Sequence, residues 1–377
     1  MPRLIAIDFA ASAHFRNAVQ QIWHDGDVVL ALDQRLLPAA RHRVAVALGA
    51  DLLVDEYGTH HLPIESVATC SSATPLVALQ PGDALVIATS GSTGAPKGVV
   101  HTHAGLAAHA QMTGERLGLS ATDHWWLCLP PAHIGGFGVL YRALHFGAQL
   151  SFAAHVDEGS LQAALAAGAT HTAVVPTHLV RHDFAQWQAV LVGGARSGVL
   201  PSNAISTYGL TETGGGVVYD GVTLNGVAIQ LKAGRILLHS PSMARTYRHT
   251  ALPLQDGWLD TGDVGVMVDG RLRVQGRADD LIITGGNKVW PHVVEQRLRE
   301  HPLVRDVAVR GRPDPEWGSI VCAYVAPVSP TNAPTLEALR HHVKETLAAY
   351  YAPRELVVVD SIPRTALGKV ITAELPQ

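Results

Sequence analysis

The chain has 377 residues, more than one hydrophobic core ordinarily serves, so two domains are expected. Apolar residues make up 47% and charged residues 16%, which supplies a core and excludes a mostly disordered chain. The 28 basic and 32 acidic side chains leave a formal charge of −4 with no long run of either sign, which argues against nucleic acid as a principal partner.

The N-terminal "MPRLIAIDFAASAHF" carries Asp8 inside its apolar stretch and lacks the basic-then-apolar layout of a signal peptide. No run approaches the ~18 apolar residues that a membrane helix requires. Cys70, Cys128 and Cys322 are odd in number and far apart, which excludes a closed disulfide framework and a CxxC zinc cluster. A soluble cytoplasmic protein is expected. The segment "HDGDVVLALD" carries no assignable motif.

Strand-like "DALVIATS" runs into "SGSTGAPKGVV", which is crowded with glycines, hydroxyls and one lysine. Unobstructed backbone N–H groups at Gly91 and Gly94, hydroxyls at Ser90, Ser92 and Thr93, and the Lys97 cation suit a polyphosphate. A Gly/Ser-rich surface loop is the plainer alternative. The Walker pattern fails, because Pro96 precedes the lysine and Gly98 stands where a magnesium-binding hydroxyl belongs. A helix is expected next. Its histidines His101, His103 and His109 lack an acidic or Cys partner, so surface or core positions are favoured over a metal site.

Further on, "HWWLCLP", "AQLSFAA", "HTAVVP" and "AVLVGG" read as strands alternating with helical stretches, the pattern of an α/β domain with largely parallel sheets. From about Arg235 the runs "GRILLHS", "GWLDTGDVGVMVDG" and "RLRVQG" read as brief antiparallel strands broken by Gly and Asp, with Asp269–Gly270 as a turn. Beyond "GRADDLIITGG", the segment "PHVVEQRLREH" starts a helix with Pro291 and puts Val293, Val294 and Leu298 on one face. Strands "VRDVAVRG" and "SIVCAYVA" and a helix "TLEALRHHVKETLAAYY" complete a compact α+β unit of about a hundred residues.

"TSGSTGAPKG" resembles the phosphate loop of the adenylate-forming superfamily, which includes acyl-CoA synthetases, stand-alone adenylation domains and luciferases. "YGLTETGG", "GWLDTGDVG", "GRADDLIITGG" and "PRTALGKV" follow in the family's order, from about Thr89 to Lys369. Within it, "PPAHIGGFGVLYRAL" and "GGGVVYDGVTLNGV" resemble the short-form o-succinylbenzoate–CoA ligases of menaquinone synthesis. The resemblance implies a large N-terminal domain, residues 1–277, of stacked α/β sheets with a small β-barrel-like part. A small mobile α+β domain, residues 278–377, would follow. It further implies that part of the usual large domain is trimmed, and it leaves homo-oligomerisation open.

The same resemblance assigns the chemistry. Thr89, Ser90, Gly91, Ser92, Thr93, Gly94 and Lys97 would grip the phosphates of ATP, and Glu212 would hold Mg²⁺. Thr211 would meet the α-phosphate, Tyr208 and Gly209 would face the adenine, and Gly193, Gly194 and Ala195 would let backbone approach it. Asp263 and Arg277 would take the ribose, Lys369 the adenylation step, Asp279 the hinge, and Gly285 and Gly286 the path of coenzyme A. The acyl group would meet His133, Gly135, Phe137, Gly214 and Gly215, with Arg142 binding a second carboxylate. The implied reaction joins 2-succinylbenzoate to CoA with ATP. Another aryl- or acyl-CoA ligase, an adenylation enzyme, or a non-catalytic binder of nucleotide or acyl ligand on the same fold remain alternatives.

Overall fold

The computed structural model describes residues 1–62, 75–90, 96–194, 200–364 and 370–376. The chain forms two compact units. One contains Met1–Gln230, Leu237–Asp260 and Asp269–Leu272, and the other Leu231–Ile236, Thr261–Val268 and Arg273–Gln377.

The first unit begins β1 (Leu4–Ile7), α1 (Ala13–His24), β2 (Val28–Ala31), α2 (Pro38–Ala47), β3 (Leu52–Asp55), β4 (Gly58–His61), β5 (Asp83–Ser90) and β6 (Pro96–Thr102). It continues with α3 (His103–Leu117), β7 (His124–Leu127), α4 (Ile134–Phe146), β8 (Gln149–Phe152), α5 (Glu158–Ala166) and β9 (His171–Val174). After α6 (Pro176–Arg181) come β10 (Ala189–Val192), β11 (Ala204–Leu210), β12 (Gly215–Tyr219) and β13 (Val222–Thr223). Two seven-stranded sheets result. The second has the order β13-β12-β11-β10-β9-β7-β8, in which β8, β7, β9, β10 and β11 run parallel. Strands β1, β2, β7, β9 and β10 are buried along their whole length, so they read as continuous apolar runs rather than as alternation. The unassigned "HDGDVVLALD" is the end of α1 and strand β2, seated between β1 and β5.

The glycine-rich segment lies between β5 and β6, an antiparallel pair that runs from Asp83↔Thr102 to Ser90↔Pro96 with a register shift between Asp83 and Leu85. Strand β6 therefore separates the loop from the expected helix, which starts at His103 with Thr102 as its cap, accepting from the Gly105 N–H at 3.0 Å. His101 and His109 are core residues, 0% and 4% exposed.

Strands β14 (Ala228–Lys232), β15 (Arg235–His239), β16 (Thr246–Tyr247), β17 (Leu254–Gln255), β18 (Trp258–Val268) and β19 (Arg271–Arg277) come next. Strand β16 closes the edge of the first sheet against β6 (Tyr247↔Val99). The segment expected as brief strands contains instead one strand of 11 residues, β18, because Gly262 takes a left-handed φ of 74° within it and Asp263 stays in the ladder. Asp269 (φ 49°) and Gly270 (φ 72°) form the turn into β19, as a two-residue hairpin requires.

The second unit's own sheet has the order β21-β20-β23-β22, from β20 (Ile282–Thr284), β21 (Asn287–Val289), β22 (Val304–Asp314) and β23 (Gly318–Pro327), with β24 (Glu355–Val358) parallel to β23. Helices α7 (Pro291–Arg299) and α8 (Leu336–Lys344) cover one face. Pro291 starts α7 as expected, and Val294 and Leu298 bury completely, while Val293 is only half-buried. They pack with Val307, Val325, Leu339 and Val343. The last helix is shorter than its sequence pattern and ends at Lys344.

Candidate active site

Strand β11 ends in a 3-10 turn, Thr211–Thr213, and everything around Glu212 is pinned from below. The Thr213 hydroxyl accepts from the Leu210 N–H at 2.9 Å and donates to the Gly215 carbonyl at 2.7 Å. Ser242 donates to the Thr213 carbonyl at 2.7 Å, and the Ala244 N–H donates to the Glu212 carbonyl at 2.7 Å. The second threonine of "TET" is thus structural and fully buried, leaving Thr211 and Glu212 half-exposed at the strand end. A Cβ on Gly209 would lie 2.0 Å from the Gly215 carbonyl oxygen, so only glycine admits this close pairing of β11 with β12. The register slips by one residue between Tyr208 and Gly209, a bulge that re-aims Tyr208.

Sequence reasoning missed Tyr247. Its hydroxyl donates to Glu212 Oε1 at 2.7 Å, and Lys97 Nζ stands 5.7 Å from its ring centroid. One aromatic side chain on β16 therefore spans the predicted phosphate-loop lysine and the predicted metal carboxylate. Burial, then the Glu212 carboxylate, pushes the Tyr247 phenol well up, so it remains a donor. The signal was the tyrosine of "ARTYRHT", too short a strand to read as part of a site. Glu212 keeps its other oxygen free of hydrogen bonds among the described residues, and Mg²⁺ is commonly held by one or two carboxylates plus substrate phosphates. That donor set fits a metal arriving with ATP. When bound, the ion would neutralise phosphate charge beside Glu212. We expect Tyr247→Phe to raise the Mg²⁺ concentration needed for half-maximal activity about tenfold, with the KM for acid unchanged. A magnesium titration at fixed ATP checks this.

Thr89 pairs with Lys97 across the β5–β6 ladder, its hydroxyl donating to the Lys97 carbonyl at 3.3 Å, and Ser90 ends β5. Gly91, Ser92, Thr93 and Gly94 lie outside the described residues, as do Ala195 and Lys369. Gly193 and Gly194 follow β10, and Thr207 donates to the Val192 carbonyl beside them at 3.1 Å.

On the acyl side, His133 caps α4 and bonds Asp33 at 3.1 Å, while Gly135 lies in the first turn. Phe137 is 0% exposed and meets Trp23 edge-on at 6.0 Å, so it packs behind the helix. Arg142 is 4% exposed. Its guanidinium folds back over Gly138, where a Cβ would meet Nη1 at 3.0 Å, and lies 4.8 Å from the Trp125 ring centroid. Its Nε has no hydrogen-bond partner, and among the described residues no carboxylate lies within ion-pair distance of it. Gly214 and Gly215 back onto His109, whose Nε2 meets the Gly216 carbonyl at 2.9 Å.

Burial holds His101 at a pKa of about 4 and, helped by the nearby Arg142 charge, His109 at about 3. In the unfolded chain both titrate near 6.5. Their contribution to stability is therefore complete above about pH 6.5 and is lost as pH falls toward 4. We expect the thermal midpoint to drop between pH 7 and pH 5, with His109→Gln reducing the slope by about one proton.

In the second unit, Arg277 Nη1 reaches Asp263 at 3.3 Å and the Thr261 carbonyl at 2.8 Å, so the predicted ribose pair is preassembled. Asp279 is exposed in a 3-10 turn just after β19. Gly285 (φ 54°) and Gly286 (φ 78°) form the two-residue turn between β20 and β21, with Trp317 packed against Gly285.

A glycine-rich segment between β5 and β6 of the first sheet and a pinned carboxylate at the end of β11 in the second fit a nucleotide-binding enzyme of the adenylate-forming fold. The chain belongs to the AMP-binding enzyme family: that family's pattern matches residues 13–240, and the pattern of the AMP-binding enzyme C-terminal domain matches 293–369. It is 40% identical to the probable 2-succinylbenzoate–CoA ligase of Mycobacterium tuberculosis, over 78% of this chain and 83% of that protein. It is 31% identical to the 2-succinylbenzoate–CoA ligase of Listeria monocytogenes, over 94% of this chain and 84% of the relative. The o-succinylbenzoate CoA synthetase of Bacillus subtilis in complex with the acyl-adenylate intermediate superimposes with a TM-score of 0.84 at 24% identity, covering 100% of this chain and 88% of that one. An amide bond synthetase, McbA of Marinactinospora thermotolerans, also shares the fold at a TM-score of 0.80 and 24% identity, covering 99% and 89%.

Proposed function

We propose that the protein is a 2-succinylbenzoate–CoA ligase. ATP and the acid give an acyl-adenylate and pyrophosphate, and the thiol of coenzyme A then displaces AMP to leave the thioester. The proposed enzyme is soluble and cytoplasmic. Residue for residue, Lys97 and the loop before it would bind the leaving pyrophosphate, and Thr211 the α-phosphate. Glu212, steadied by Tyr247, would carry the magnesium. Asp263 and Arg277 would hold the ribose and Lys369 would neutralise charge as the carboxylate attacks. A C-terminal domain of residues 278–377, turning at Asp279, would withdraw Lys369 for the second step and bring Gly285 and Gly286 to the thiol.

One observation carries the choice of acid. A fully buried cation without a carboxylate is costly, and it persists where a ligand supplies the missing charge. Arg142 is such a cation, on the helix that starts at His133. A substrate with two carboxylates fits: one is activated, and the other pairs with Arg142. Gly214 and Gly215, which carry no side chains, would face the aromatic ring of such an acid. The shared fold of an amide bond synthetase means that the acceptor must be tested separately from the acid. Pyrophosphate release measured over aromatic mono- and dicarboxylic acids, with and without CoA, tests both. Turnover of 2-succinylbenzoate dependent on CoA supports the reading; release with monocarboxylic acids alone, or with an amine in place of CoA, rejects it.

A further inference from the structure

Tyr247, whose hydroxyl holds Glu212 and whose ring stands near Lys97, lies on a strand of only two residues, paired with β6 through Thr246↔Val100 and Tyr247↔Val99. So short a strand does not fix a side chain by itself. It is braced at both ends. Before it, the Arg245 N–H donates to the Val100 carbonyl at 2.9 Å, and the Arg245 guanidinium grips Asp83 through Nε to Oδ1 at 2.7 Å and Nη2 to Oδ2 at 2.6 Å. After it, the Arg248 N–H, which belongs to the peptide that leaves Tyr247, donates to the Gly98 carbonyl at 2.7 Å, and the Arg248 carbonyl accepts from the Val77 N–H at 2.6 Å.

Arg248 is 5% exposed. Successive side chains of a strand point to opposite faces, and two apolar clusters mark the faces of β6. Val99 packs with Tyr247, Ala244, Leu252 and Leu259, whereas Val100 packs with Leu48 and Val86. Arg248 goes to the second face. A Cβ on Gly98 would lie 2.7 Å from Arg248 Cγ and 2.9 Å from both Leu48 and Val86, so the arginine stem occupies the space that a side chain at 98 would need. The guanidinium ends on main chain: Nε donates to the Leu48 carbonyl at 3.0 Å and Nη1 to the Val77 carbonyl. Leu48 is the cap residue of α2, so the cation also meets the negative end of that helix. Two carbonyls held by one planar fork make an anchor that an ammonium on a flexible stem does not reproduce.

We infer that Arg248 is a positioning residue for Tyr247. Anchored on one face of the sheet, it fixes the peptide from which the phenol on the other face reaches Glu212, and Gly98 is the glycine that lets it pass. This rests on the reading of Glu212 as the carboxylate that takes the magnesium arriving with ATP. Without the anchor the end of β16 frays, and Glu212 loses the donor that orients it.

The first part of the test needs neither metal nor substrate. In ligand-free protein carrying tyrosine labelled with ¹³C at Cζ, the Tyr247 signal is identified by its loss in Tyr247→Phe, and Glu212→Gln gives its position with an amide in place of the carboxylate. In Arg248→Met the signal is expected to move toward that position while those of the other tyrosines stay put. Arg248→Lys, which keeps a cation on a long stem, is expected to move it less, and it decides the question should the methionine variant not fold. An unmoved Tyr247 signal in a folded variant, or a displacement of all tyrosine signals together, overturns the inference. The second part is kinetic. Arg248→Met should raise the Mg²⁺ concentration for half-maximal activity about tenfold, the effect expected of Tyr247→Phe, with the KM for the acid unchanged. In a Tyr247→Phe background it should cost nothing further. A full further penalty in that background, or a parallel rise in the KM for the acid, shows a general structural role and also overturns it. Should the wild type activate no acid with ATP and Mg²⁺, the proposed function fails while the tyrosine signal still decides the inference.

Discussion

Lys369→Ala is expected to abolish acyl-adenylate formation while thioester formation from a supplied acyl-adenylate continues at near wild-type rate. Two anions must meet in the first half-reaction, an attacking carboxylate and a triphosphate. An ammonium placed between them stabilises charge that exists only as they combine, and loss of one such group costs on the order of 10²–10³ in rate or more. The second half-reaction has a neutral carbonyl as electrophile and a different requirement, so the lysine is expected to be dispensable there. Lys369 lies outside the described residues, five positions after Arg364, which is held to Asp306 through Nη2 at 2.7 Å and Nε at 2.9 Å. The sequence resemblance alone assigns its role. Single-turnover measurements of each half-reaction decide it: equal loss in both removes the two-state use of the C-terminal domain, and loss in neither removes the lysine from the mechanism.

Arg142→Met should raise the KM for a dicarboxylic acid by about 100-fold or more, because truncating one member of a buried charge pair typically costs 2–5 kcal/mol. Its effect on a monocarboxylic analogue should be small, since such a molecule has no charge to offer Arg142. Stability should move the opposite way. The ligand-free enzyme keeps a desolvated cation over Trp125 with Nε unpartnered, and an apolar chain of similar length removes that penalty. The lost cation–π contact offsets part of the gain, about 2 kcal/mol. The expected thermal midpoint is therefore equal to or above that of the wild type, beside a severe loss of substrate binding. A comparable KM increase with the monocarboxylic analogue would show that Arg142 shapes the helix rather than reads the substrate.

The parallel strands were legible because burial on both faces demands unbroken apolar runs, and "HWWL", "HTAV" and "AVLV" are such runs. Helix α7 was legible from its proline and two buried positions. Strand β18 was misjudged, since Gly and Asp in one segment read as interruptions until the ladder on either side is seen. Of the expected site residues, Lys97, Glu212, Asp263 and Arg277 could be named because short-range chemistry keeps them in recognisable words. The direction of Phe137, by contrast, depends on what stands behind helix α4, and that is Trp23, more than a hundred positions away in sequence.

What the sequence determined by itself was local: periodicity, turn chemistry at Asp269–Gly270, the glycine-rich composition of the segment after β5 and the order of the motifs. Which side chains share a site was decided by the tertiary structure. Tyr247 joins Glu212 only because β16 adds to the edge of β6, and Asp33 meets His133 only because the end of β2 lies against the start of α4. Arg142 is buried rather than solvated because Gly138 and Trp125 make a seat for it. Each of these is a contact between groups far apart along the chain, and its energy depends on the dielectric and the neighbours that folding creates, neither of which a linear pattern contains.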